Sequence, residues 1–203
     1  GGDVELNARE SLTFSGEDSK TNFSRIALQS NSKEKGAGDS GSLLIQAKNI
    51  SFTDGASASI STYGTGNGGD AVFSASESVI FSGEGSKPSL KSRIYMRTYY
   101  NDGPDAGYAG SLLVNAKNIL FKDGAYISAT TYGMGRGGNI TLNASESISF
   151  SGEGVPYLSK ARNSQIEMTT KSYSGDSGNL FLEAENIYFT GGANIFATTE
   201  GEG

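Results

Sequence analysis

Two sets of glutamates recur along this chain at fixed spacing: Glu10, Glu77 and Glu146, and Glu17, Glu84 and Glu153. Glycoside hydrolysis uses two carboxylates about 5 to 10 Å apart in a cleft, one to donate a proton and one to act as base or nucleophile. These six return with the repeat, as turn or solubility residues would, whereas an active site is built once. A polysaccharide lyase would add a unique Arg or Lys against a local acidic cluster, and the sequence offers no convincing one. Histidine and cysteine are both absent. Their absence removes the usual general base, the usual transition-metal ligands and every Ser-His or Cys-His scheme. Asp39, Asp102, Asp105 and Asp176 lie in loops near glycine. A hard cation such as Ca²⁺ needs several oxygens converging on one point. The calcium-binding nonapeptide pattern is missing, so these aspartates read as solvated loop residues. The sequence therefore assigns no catalytic residue, no metal site and no cofactor, and the chain is expected not to be an enzyme.

Binding chemistry is concentrated in one patch. Arg93, Tyr95, Arg97 and Tyr99 alternate along one segment, and Tyr126 falls one repeat unit further on. Aromatic rings beside guanidinium groups can stack on sugars or on a protein partner, although tyrosine is also an ordinary exposed strand residue. The net charge is −6 with both signs scattered. No basic stripe is present, so the electrostatic footprint of a nucleic-acid binder is missing. No run approaches the ~18 apolar residues of a membrane span, so membrane insertion is not expected.

These residues are positioned by an internal repeat, the first feature to seek in such a chain. Gly1-Gly2-Asp3-Val4-Glu5-Leu6-Asn7-Ala8-Arg9-Glu10-Ser11 returns at Gly68 to Ser78 and again at Gly137 to Ser147. Each copy runs on to Phe-Ser-Gly-Glu, at Phe14, Phe81 and Phe150. A second motif, Gly41 to Phe52, matches Gly110 to Phe121 and Gly178 to Phe189, and the double unit repeats every 67 to 69 residues. Each half-unit holds three short alternating segments bounded by Gly, Ser, Asn or Asp, such as Val4–Ala8, Leu12–Phe14 and Ile26–Leu28, or Leu43–Ala47, Ile50–Phe52 and Ala56–Thr62. Period-2 alternation between turn residues reads as strand, and none of the segments shows a 3.6-residue period. The expected architecture is an all-β solenoid: a parallel β-helix of three-stranded coils, about six coils in all, rising roughly 29 Å at the usual strand spacing. It forms a single segment of a longer repeat protein, with double-coil repeats at 1–68, 69–137 and 138–203.

Alternation assigns the interior. Val4, Leu6 and Ala8 should stack on Leu43, Ile45 and Ala47, then on Ala71, Phe73 and Ala75. A second wall stacks Leu12 and Phe14 on Ile50 and Phe52, with one phenylalanine per coil thereafter, and a third carries Ile26, Ala58, Ile94, Ile127 and Ile166. A one-residue slip would turn every column outward. Asn49, Asn118 and Asn186 are expected to take left-handed turn conformations, and the glycine pairs to supply positive φ at tight corners. Leu44, Val72, Leu113 and Phe181, with Ile80, Leu120 and Tyr188, fall at outward positions and should be partly covered by the excursions Glu17–Ser24, Glu84–Ser92 and Glu153–Ser164. Neither end looks like a cap, so the native protein is expected to continue on both sides, and open ladder edges invite end-to-end or lateral self-association.

The pattern Gly-Gly-[Asp/Asn]-x-x-[Leu/Phe]-x-Ala-x-Glu-Ser-[Ile/Val/Leu]-x-Phe-Ser-Gly, with its partner Ala47-Lys48-Asn49-Ile50-Ser51-Phe52-Thr53-Asp54-Gly55-Ala56, resembles the repeats of filamentous-haemagglutinin-like large exoproteins of the two-partner secretion family, in their cyanobacterial form. The resemblance covers essentially the whole chain. It implies a right-handed coil, a shaft fragment of a secreted protein on the extracellular cell surface, and export through an outer-membrane transporter. It further implies a structural or adhesive role in adhesion, aggregation or surface-layer building, with a host or cell-surface glycan or protein receptor as partner. Two other functions stay open on the residues: a carbohydrate-active β-helix enzyme of the lyase or hydrolase kind, and a carbohydrate-binding module using the Arg93–Tyr99 face.

Overall fold

The computed structural model describes residues 1–16, 24–83, 91–99, 107–133, 135–152, 163–171 and 177–200. These residues form fourteen strands and no helix: β1 (Val4–Asn7), β2 (Ser11–Ser15), β3 (Arg25–Ser30), β4 (Leu43–Thr53), β5 (Ser57–Thr62), β6 (Ala71–Ser82), β7 (Arg93–Thr98), β8 (Leu112–Lys122), β9 (Tyr126–Thr131), β10 (Ile140–Phe150), β11 (Gln165–Thr170), β12 (Leu180–Glu183), β13 (Asn186–Phe189) and β14 (Asn194–Thr199). They make two parallel sheets. The first runs β1-β4-β6-β8-β10-β12, with β2 also on β4 and β13 also on β10, and the second runs β3-β5-β7-β9-β11-β14. Each strand pairs with its equivalent one coil away, so the chain is a parallel β-solenoid.

One feature differs from the three short segments expected per coil. In the inner coils the first two segments are a single strand of eleven or twelve residues, β4, β6, β8 and β10. The expected break between them is a bulge. Ala47 pairs with Ala75 and Asn49 with Ser78, so two steps in one coil face three in the next. The same shift separates Ala144 from Ser147 on the Ala116–Asn118 side. Every first-motif coil carries one extra residue here (Ala75-Ser76-Glu77-Ser78 against Ala47-Lys48-Asn49), which a parallel ladder absorbs by local bending.

Register follows from the apolar columns. Val4 faces Leu43, Leu6 faces Ile45, and Phe14 faces Phe52. Phe14, Phe52, Phe81, Phe121, Phe150 and Phe189 stack in one file, with centroids 4.7, 5.3, 4.9, 4.8 and 4.8 Å apart and ring planes within 18°. Ring separations near 5 Å gain offset-stacking attraction on top of burial. Ile50, Phe52, Phe73, Val79, Ile94, Met96 and Ile119 around them are fully buried. Further along the second sheet the inner column turns polar: Thr62, Thr98, Thr131 and Thr170 are buried, and the Thr98 and Thr131 hydroxyls lie 2.5 Å apart.

The corners use glycine for two different reasons. Asp54-Gly55 and Asp123-Gly124 both have positive φ (54° and 85°, 55° and 85°), and Ala56 N–H and Ala125 N–H donate back to Thr53 and Lys122 carbonyls at 2.9 and 3.1 Å. Two consecutive left-handed residues closed in this way make a tight type I′ turn, for which Asp-Gly is a favoured pair. The expectation for Asn49 and Asn118 is thereby corrected: they lie inside β4 and β8 with ordinary φ, and their side-chain oxygens accept bonds from Ser78 and Ser147 at 2.7 and 2.6 Å. The glycine pairs divide: Gly191-Gly192 has the expected positive φ (58° and 80°) at a tight corner, whereas the pairs of the first motif do not. Gly69 and Gly138 do not have positive φ; a Cβ on them would meet the carbonyl oxygens of Gly41 and Gly110 at 2.0 and 1.9 Å. Coil-to-coil crowding, rather than backbone handedness, demands glycine at these two positions. Gly69→Ala should therefore destabilise the chain by about 3 kcal/mol through overpacking against backbone. Gly38→Ala, with open space around its Cβ and ordinary φ, should stay within about 0.5 kcal/mol in the same urea titration.

Candidate functional site

The second sheet presents Arg93, Tyr95, Arg97 and Tyr126 on its outer face, all half-buried, and Tyr99 follows directly after β7. Strand alternation puts Ile94, Met96 and Thr98 inside and the others out. Register then lays Arg93 against Tyr126 and Tyr95 against Ser128. Arg97 is the hub. Its guanidinium lies 4.0 Å from the Tyr95 ring centroid and 5.8 Å from that of Tyr126. Its Nε donates to Ser128 Oγ at 2.8 Å, and its Nη1 and Nη2 donate to the Tyr99 and Tyr126 hydroxyls at 3.3 Å each. The Tyr126 hydroxyl donates onward to Glu167 Oε2. The five residues expected to form a face are thus brought together, with Arg93 at its edge.

Sequence reasoning passed over part of this cluster. Tyr63, Tyr99 and Tyr132 form a stacked file, with centroids 4.6 and 5.1 Å apart and planes within 12°, and Lys171 Nζ lies 5.8 Å from the Tyr132 ring. A signal was available: Ser61-Thr62-Tyr63-Gly64 and Thr130-Thr131-Tyr132-Gly133 are the same motif position. The geometry limits what the face can do. A sugar stacks on an open ring face, but Tyr99 has a ring on each side and Tyr95 carries Arg97. The rings stack on one another and on the guanidinium. Beside the face, burial and, secondarily, the positive charge of Arg93 hold the Lys91 amine below its ordinary range.

A second surface was not anticipated. The bulge column bends the first sheet around an open trench of about 900 Å³ that crosses five coils. Its floor is the alanine column Ala8, Ala47, Ala75 and Ala116, of which Ala75 belongs to the core and Ala47 and Ala116 pack against it. One bank carries Asn7, Gln46, Ser74 and Asn115; the other carries Arg9, Lys48 and Lys117. Here the recurring glutamates find their role. The bulge residue Glu77 accepts from Lys117 at 2.9 Å, Glu10 lies 3.5 Å from Lys48, and Glu146 accepts from Asn118 Nδ2 at 2.8 Å. Glu77, by hydrogen bond and by charge, raises the Lys117 amine above its ordinary range. These three are bulge residues paired to the neighbouring coil; Glu17, Glu84 and Glu153 lie outside the described residues.

The excursions also lie outside the described residues, apart from their ends. Those ends are clasped alike: the Ser24, Ser92 and Ser164 hydroxyls donate to the carbonyls of Ser15, Ser82 and Ser151, the last at 2.6 Å. Leu44, Val72, Leu113, Ile80 and Leu120 are half-buried within their own columns, whereas Phe181 and Tyr188 of the last coil are exposed. Asp39 accepts from the Asn67 N–H at 2.6 Å, while Asp102, Asp105 and Asp176 lie outside the described residues. Among the described residues no three acidic side chains group as a metal site would, and no helix is long and apolar enough to cross a membrane. Comparison with known proteins finds no matching family model, no similar curated protein and no similar solved structure.

Arg97→Ala should lower stability by about 1–2 kcal/mol in chemical denaturation, and Arg97→Lys should recover less than half of that, because an ammonium cannot fork between ring and hydroxyls. Lys91 gives a pH signature. Its folded pKa lies below 10.5, so between the folded and unfolded values the unfolded chain binds more protons and stability rises with pH. Lys91→Met should flatten that alkaline rise in pH-dependent thermal melts.

Proposed function

We propose that this chain is a structural, adhesive shaft segment of a secreted bacterial surface exoprotein, and that its solenoid is a right-handed parallel β-helix in which the long strands of the first sheet form two walls on either side of the bulge and the second sheet forms the third. The observation that carries this reading is the uninterrupted phenylalanine file through all six coils. A continuous stack in which every coil is laddered to the next is a stiff spacer. Its function is to hold something at a distance and to resist force, and it requires no active site. The resemblance of the repeats to filamentous-haemagglutinin-like exoproteins supports the same reading and adds its route: export through an outer-membrane transporter to the cell surface, toward a glycan or protein receptor.

Two further features favour a non-enzymatic role. The bulge glutamates beside the trench are engaged by lysine or asparagine of a neighbouring coil, whereas a general acid sits in an apolar pocket that keeps it protonated. The outer tyrosines are satisfied by one another and by Arg97, which suits a weather-resistant wall.

The trench supports a second reading, carbohydrate binding. Amides on one bank and cations on the other repeat along roughly 19 Å at ordinary strand spacing, a form suited to one extended polysaccharide chain. One set of experiments separates the readings. Antibodies raised to the purified chain should label intact cells that produce the full-length protein; labelling only after permeabilisation would defeat the surface reading. On a glycan array the shaft reading expects no bound glycan and, on polysaccharide panels, no unsaturated or reducing-end product. A signal reduced about tenfold by Lys48→Ala with Lys117→Ala would move the assignment to the trench.

A further inference from the structure

The trench reverses the sign of the chain that forms it. The chain carries a net charge of −6, yet among the described residues the titratable side chains that line the trench are Arg9, Lys48 and Lys117, and none is a carboxylate. Lys48 and Lys117 are 47 and 45% exposed although each reaches a glutamate, and an ammonium has three protons to donate. Both therefore keep donor capacity for a ligand. No aromatic ring lines the trench among the described residues; the stacked tyrosines belong to the second sheet. A neutral glycan would find hydrogen bonds here but no ring to stack on. An acidic glycan adds charge-assisted hydrogen bonds, which are roughly twice as strong as neutral ones.

The spacing of the charges narrows the class further. Lys48 lies on β4 and Lys117 on β8, with β6 between them. That is two ladder steps, ~9.6 Å at ordinary strand spacing, about the advance of one disaccharide in an extended chain. Carboxylates stand just outside the lining in the coils between: Glu77 on β6, Glu146 on β10 and Glu10 immediately before β2. A polyanion charged on every sugar would set a charge beside Glu77 as well as beside each lysine, and like charges brought together are penalised. A chain charged on every second sugar meets the lysines alone.

We propose that the trench binds a linear acidic polysaccharide in which uronate and neutral sugars alternate. The chain lies parallel to the rod axis, with successive carboxylates at Lys48 and Lys117 and the neutral sugar between them beside Ser74 and Ser76. Gln46 and Asn115, in the same coils as the two lysines and on the opposite bank, bond the hydroxyl or acetamido groups. Arg9, one coil before Lys48, lies off this period and contributes only to the positive field. The inference rests on the carbohydrate reading of the trench, not on the shaft reading.

The test is equilibrium binding to three probes: a hyaluronan oligosaccharide long enough to span the trench (alternating glucuronate and N-acetylglucosamine), a heparin fragment of the same length, and a neutral chitin oligosaccharide. Hyaluronan should bind at least about tenfold more tightly than either of the others. Salt near 1 M, where the Debye length is about 3 Å, should abolish that binding. Lys48→Gln with Lys117→Gln should weaken hyaluronan at least about tenfold and leave chitin binding unchanged. Both side chains are half-exposed, so the thermal melt should not move. Ser74→Tyr, which fills the trench without changing its charge, should weaken every ligand held there. Chitin or heparin bound as tightly as hyaluronan, and lost in Ser74→Tyr, would overturn the alternating-charge inference while keeping the trench as a glycan site. No binding of any probe, or binding indifferent to Ser74→Tyr, would remove the trench reading itself and the inference with it.

Discussion

The coil-to-coil spacing of a parallel ladder governs this molecule. Backbone hydrogen bonds set neighbouring strands ~4.8 Å apart, and each side chain must then sit that close to its counterpart in the next turn. Flat rings tolerate this spacing by stacking, as the Phe14 to Phe189 file does with planes nearly parallel. Asparagine and serine tolerate it by bonding across coils, as Ser78 does with Asn49. Where backbone itself is brought into contact, at Gly41, Gly69, Gly110 and Gly138, no side chain can be accommodated.

A single inserted residue adds the second level of organisation. Alternate coils carry one residue more at the bend of the first sheet, and the ladder absorbs it by a bulge. The bulge places Glu10 and Glu77 opposite Lys48 and Lys117 of the neighbouring coils, bends the sheet around the trench, and distinguishes the two faces of every coil. Exposed ion pairs of this kind contribute little to stability. Their consequence is to give the trench paired charges along one bank and amides along the other.

The outer face of the second sheet illustrates how a binding motif can be absorbed by its own scaffold. Arginine and tyrosine at alternating positions have the composition of a recognition patch. In place, Arg97 spends its guanidinium on Tyr95, Tyr99, Tyr126 and Ser128, and Tyr63, Tyr99 and Tyr132 cover one another. Such a wall ties neighbouring coils of the second sheet together through side chains as well as through backbone.

Much of this was legible in the residue order. Three copies of each motif established the all-β coil, its parallel pairing, the register of Val4 on Leu43 and Phe14 on Phe52, and the phenylalanine file, because a period-2 pattern that recurs in every coil admits one stacking only. The residue order could not separate a bulge from a turn at Ala75 to Ser78, since both insert polar residues between apolar runs, and so the trench went unseen. Nor could it show that glycine at 69 answers to Gly41 across the coil, or that Arg97 is already occupied. Alternation along one strand tells which way a side chain points; what it meets there is decided by neighbours about thirty or forty residues away, which only the closed coil brings within reach.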